Sequence, residues 1–165
     1  MSFDRAELER ATYHLAFDIY HFRFYTRLHK EYHLAVSDPA IYQAVLYSLL
    51  LHFRLLLDFF YKQPVHDDCW VGHFRVLPGF TAAFPPAIHI PPVGARGVSV
   101  NLNKRLAHMT ATRWRERQPD MDYYTNYFAD LESLIVAFRA ALPGDMRQIL
   151  DRRLSDLDAQ YKRGL

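Results

Sequence analysis

Between Ala40 and Tyr61 the chain runs for 22 residues in which nearly every side chain is apolar. A helix that is apolar all round has no face to give to water, so it must sit inside a bundle of other helices or inside a bilayer. The run is interrupted by Gln43, His52, Arg54 and Asp58. Two opposite charges within the stretch disfavour insertion into hydrocarbon, where each would be costly to desolvate. The stretch therefore reads as the central helix of a soluble bundle. Ser37-Asp38-Pro39 supplies its start: a short polar side chain that can cap free amides, then a proline where its missing N–H does no harm.

Around that helix the prolines punctuate the chain. None falls in residues 4–34, which read as one long first helix. Six of the nine, Pro64, Pro78, Pro85, Pro86, Pro91 and Pro92, lie in residues 62–98, where the helical pattern fails. That segment reads as a long proline-rich loop, with a short helix about Asp68 to Phe74 and a hairpin about Ile88 to Ile90. A connection of this length either covers a site or wraps the surface while burying Phe80 and Phe84. Ser99 opens a helix over 99–117, and Pro119-Asp120 ends it and opens another over 121–141. That helix carries Tyr124, Phe128, Leu131, Leu134, Ile135 and Phe138 at helical spacing. Pro143-Gly144-Asp145 leads into the last helix, 144–163, with the stripe Met146, Leu150, Leu154, Leu157 and Tyr161. The expected fold class is all-α: an antiparallel bundle of about five helices and one long loop, over helices 4–34, 39–61, 99–117, 121–141 and 144–163.

A chain of 165 residues fits one domain, 1–165, and its 50% hydrophobic and 15% aromatic content supplies a packed core. The formal net charge is only +2, so whole-molecule attraction to polyanions is weak, and a nucleic-acid contact would need a local basic patch. A single cysteine, Cys69, cannot form an internal disulfide, which suits a reducing compartment. The first residues lead straight into a charged segment without the apolar core of a secretory signal. The expected location is the cytoplasm, with no membrane partner. Neither internal repeats nor a low-complexity tail are present, and no glycine-rich phosphate loop or serine-nucleophile motif appears.

Polar residues on apolar helices are the candidates for function. Arg54 and Asp58 stand four apart on the central helix, on one face, and can pair. Burying either alone costs several kcal/mol. Their pairing serves either as a structural ion pair or as part of a site. On the helix over 99–117, a projection at about 100° per residue puts Lys104, His108, Thr112 and Arg115 on one side, with Arg105 at its edge. Asn103 falls on the inward side, toward Arg54 or Asp58. A histidine among fixed cations can act as general acid or base or hold a phosphate. An ordinary solvated helix face presents the same pattern.

The segment Asn103-Lys104-Arg105-Leu106-Ala107-His108-Met109-Thr110 resembles a helix of HEPN-type domains and of related bacterial helical proteins. The segment His52-Phe53-Arg54-Leu55-Leu56-Leu57-Asp58-Phe59-Phe60, followed by Asp67-Asp68, adds to the likeness. Together they cover two of the five expected helices. In HEPN nucleases the motif is arginine, four residues, then histidine. The resemblance implies metal-independent RNA cleavage without a cofactor, in a homodimer that brings two motifs together, often beside a nucleotidyltransferase-like partner protein. His108 takes the histidine position, as acid/base or phosphate contact. Lys104, Arg105 and Arg115 would hold phosphates, and Arg54, Asp58 and Asn103 would complete the site. The arginine position itself holds Asn103, whose amide lacks the guanidinium's fixed charge. The reading is thus a nucleic-acid-linked domain, either a diverged ribonuclease or an RNA-binding relative.

Two other classes compete. His14, Asp18 and His21 share a face of the first helix at spacings of four and three, which resembles half of a di-metal helical-bundle pattern. His29 with His33, and His66, Cys69 and His73, are further metal-ligand spacings among nine histidines. The third class is a non-enzymatic dimeric interaction module, for which the stripe from Met146 to Tyr161 is either a dimer face or a seam against the bundle.

Overall fold

A computed structural model describes residues 3–32, 38–61, 69–81 and 125–163. The chain is all-α. The described elements are α1 (Arg5–Tyr32), α2 (Pro39–Tyr61), a 3-10 helix (Val71–Val76), α3 (Phe128–Ala141) and α4 (Gly144–Arg163). Among the described residues there is no strand. The helix expected over 99–117, the hairpin about Ile88 and Phe84 lie outside the described residues.

Helices α1, α2 and α4 start where an aspartate side chain accepts a free amide, the Asp145 carboxylate taking the Met146 N–H at 2.8 Å in the first turn of α4. Before α1, the Asp4 carboxylate accepts the Glu7 N–H at 2.8 Å while the Glu7 carboxylate accepts the Asp4 N–H at 2.7 Å. That is a reciprocal capping box, which satisfies two orphan donors at once. Before α2, Asp38 accepts the Ala40 N–H at 2.8 Å, a single cap, with Pro39 as first helical residue. In α3 regular helix begins at Phe128, because Asn126 and Tyr127 form a turn. The short helix expected about Asp68 to Phe74 is a 3-10 helix shifted to Val71–Val76. Gly79, with φ of 83°, turns the chain away after Pro78, a conformation open to glycine. The Thr81 N–H then bonds the Ala141 carbonyl at 3.0 Å, which ties this segment to the end of α3.

The helices meet in both directions. α1 and α2 run antiparallel, with Asp18 against His52 and His29 against Tyr42. α3 and α4 do likewise through Arg139 and Asp151. The α1–α4 seam is parallel: Arg5 meets Asp145 and His21 meets Tyr161, both pairs 140 residues apart. Between these contacts Arg153 lies over the Tyr13 ring. α2 and α3 are also parallel, Phe53 touching Phe128 and Phe60 touching Phe138.

The core is aromatic at both ends. Phe22, Phe53 and Phe128 pack at one, and Phe59, Phe60, Phe74 and Phe138 at the other, with Phe80 at the edge of the second group. Phe53, Phe74 and Phe138 are fully buried, and burial of each such ring stabilises the fold by about 1.5–3 kcal/mol. The stripe on α4 turns inward: Met146, Leu150 and Leu157 are buried, and α1 is the helix they face. Helix α2 is long and apolar enough by composition to cross a membrane. In the bundle its residues Leu46, Leu49, Leu50, Phe53 and Leu56 form the centre of the core.

Candidate functional site

Arg54 and Asp58 stand one turn apart on α2, half-buried, with Nε and Oδ2 3.7 Å apart. At that separation they form an ion pair and not a hydrogen bond. The Arg54 Nε is itself buried, and among the described residues it has no hydrogen-bond partner. Asn103, Lys104, Arg105, His108 and Arg115 all lie outside the described residues. So the structure brings two of the expected site residues together and does not describe the others.

A second polar cluster lies between α1, α2 and α4. The sequence singles out two of its members, Asp18 and His21, only as metal candidates. His52, buried on α2, has its Nδ1 2.9 Å from an Asp18 carboxylate oxygen on α1. Only Nδ1–H can donate to a carboxylate, so the bond fixes the tautomer and leaves the lone pair of neutral His52 on Nε2. His21, one turn along α1 and buried, donates Nδ1–H to the Phe17 carbonyl at 2.9 Å. Its Nε2 therefore accepts from the Tyr161 hydroxyl of α4 at 2.7 Å. The two imidazoles stack with centroids 5.0 Å apart and planes 24° apart. Tyr25 stacks on His52 and Phe17 lies against His21, which walls the pair with rings.

The electrostatics follow from that burial. Desolvation pushes the His21 pKa down, and the nearby His52 adds to the effect. The Phe17 carbonyl and Asp18 act in the opposite direction without reversing it. A neutral His21 suits its two bonds. Sequence reasoning missed this cluster because His52 registers only as a polar interruption in an apolar run, and Tyr161 only as the last residue of an apolar stripe. The available signal was register: His52 lies beside Phe53 and Leu49 on the inward side of α2.

The metal candidates come out differently. His14 is exposed, while Asp18 and His21 hold the partners just described. His73 Nδ1 accepts the Trp70 N–H at 3.2 Å, and His66 and His33 lie outside the described residues. Burial pushes the Cys69 thiol up to about 11, with Glu7 adding to it, so at neutral pH the free side chain is a thiol. Among the described residues no three histidine, cysteine or acidic side chains are grouped to hold a metal ion.

A cleft of about 880 Å³ opens between the second half of α1 and the start of α3. Its walls carry Arg23, Arg27 and Lys30 against Glu31 and Glu132, and Arg23 is already bonded to Glu132. The walls are thus nearly balanced in charge, a poor electrostatic lure for a polyanion. No family model, no curated protein and no solved structure matches the chain.

Proposed function

We propose that this chain is a HEPN-like helical domain with a nucleic-acid-linked role, working as a cytoplasmic homodimer that binds or cleaves RNA. The observation that carries the reading is the Arg54–Asp58 pair. An arginine on the most apolar helix is half-buried, held by its partner at 3.7 Å, and its Nε has no hydrogen-bond partner among the described residues. The guanidinium carries further N–H groups beyond Nε that can serve an anion, and phosphate suits its planar fork. It stands in one of the two segments that resemble the HEPN type. The other segment supplies His108 as acid/base or phosphate contact, Lys104, Arg105 and Arg115 for phosphates, and Asn103, which with Arg54 and Asp58 would complete the site. A nucleotidyltransferase-like protein is the partner this reading favours.

The reading is tested by the affinity for a mixed single-stranded RNA across a salt series. Each phosphate contact contributes about −0.7 to the slope of log affinity against log salt. The combined Lys104→Ala, Arg105→Ala and Arg115→Ala variant should therefore flatten the slope by about 2. An unchanged slope removes these residues from the interface, and no binding at low salt removes RNA.

Exposed apolar residues favour a second reading. Ile41, Leu51 and Leu55 are exposed on α2, a surface that suits a non-enzymatic dimeric module. A concentration-dependent dimer in sedimentation, together with no RNA affinity, would support that alternative.

A further inference from the structure

Helix α4 is anchored unevenly. Near its start Met146 and Leu150 are fully buried, and Arg5 pairs with Asp145. Beyond Leu150 the only buried residue is Leu157. The last two turns then hold α1 through Tyr161, whose hydroxyl reaches His21 and whose ring meets Tyr20 and Phe24. That end of the helix is therefore held by Leu157, by the Tyr161 ring and by a hydrogen bond to a titratable ring.

The charge available to the cluster is limited. From α1 it receives Asp18, Tyr20 and Tyr25, from α2 His52, and from α4 Tyr161, with Arg27 of α1 and the paired Asp158 and Lys162 of α4 beside Tyr20. Among the described residues Asp18 is the only carboxylate bonded within the cluster, and it is bonded to His52. One negative charge offsets one proton on the stacked pair. A second proton places two imidazolium rings 5.0 Å apart in a buried seam. A proton on His21 turns its Nε2 from acceptor into donor, so the Tyr161 hydroxyl must reverse its bond.

We propose that His21, stacked on His52, is a proton-sensitive clasp, which holds the second half of α4 on α1 through Tyr161 while its ring is neutral and releases it when the ring takes a proton in the buried seam. The direction of the pH dependence is set by His21, whose pKa in the folded protein lies below its ordinary value. The folded state then binds fewer protons than the released one. The clasp is complete above about pH 6.5, the ordinary imidazole value, and is lost as the pH falls from there through the lowered value of His21. This inference does not depend on the RNA reading.

The experiment is hydrogen exchange of the backbone amides of the full chain between pH 7.5 and 5, corrected for intrinsic rates. Amides over 154–163 should lose protection several-fold below pH 6.5, while amides over 46–57 in the centre of α2 keep theirs. His21→Gln, which cannot take the proton, should abolish that difference. Flat protection over 154–163, or an equal loss in α2, overturns the proposal. The wild-type His21 ring, followed by NMR through the same range, gives a check that needs no variant. A proton gained at His21 with no loss of protection in α4 also overturns it.

Discussion

Gly72 lies under the indole of Trp70, and a Cβ built there would collide with three carbons of that ring. The ring is rigid and cannot fold aside as a flexible side chain would, so the 3-10 helix and Trp70 must separate. Gly72→Ala should cost about 1–3 kcal/mol, the range for overpacking, read as a lower urea midpoint with an unchanged m-value. An unchanged midpoint would mean that Trp70 moves freely. Nothing in the sequence marks this glycine among six. The contact depends on a local fold in which Trp70 turns back over its own chain. The same limit hid the histidine pair. Spacing puts Asp18 and His21 on α1 and leaves His52 on α2, but which ring meets which carboxylate is decided by how the two helices slide against each other. Arg54 and Asp58 were legible because their partnership lies within one helix, where a spacing of four dictates it.

At the scale of elements, α1, α2 and α4 could be read closely from the sequence because punctuation and capping agree. Asp4 with Glu7, Asp38 before Pro39, and Pro143 before α4 all stand where the helix ends need them. Direction and partner were not readable. Periodicity gives a helix its buried face and says nothing of whether a neighbour runs up or down, so the parallel α1–α4 seam emerges only in three dimensions. The stripe on α4, compatible with a dimer face, packs on α1 instead. Phe138 shows how much one position can tie together. It is fully buried on α3, and its ring meets Phe59 and Phe60 of α2, Phe74 of the 3-10 helix and Phe80 beyond it. Phe138→Ala should destabilise the fold by about 3–5 kcal/mol, since the cavity opens where three elements meet. Chemical denaturation measures it, and a loss below that range would mean that the elements collapse into the space.

Over the whole molecule the formal charge is +2 and the open cleft beside α1 is nearly balanced, so no global field draws in a polyanion. A nucleic-acid role must rest on a few residues placed together. In the proposed reading that burden falls on His108 with Lys104, Arg105 and Arg115, together with the half-buried Arg54 and Asp58. All-α architecture was legible from prolines that fall between apolar runs. Chemistry was less so, because a basic stripe with one histidine is also what a solvated helix face looks like. The most direct measurement is cleavage of a mixed single-stranded RNA in the presence of a chelator, comparing wild type with His108→Ala at equal folded concentration. Wild type should bind the RNA, and His108→Ala should keep its helical signal while cleavage, or binding where wild type does not cleave, is weakened. Equal activity of the two proteins, or no interaction of either with RNA, would contradict the proposed reading.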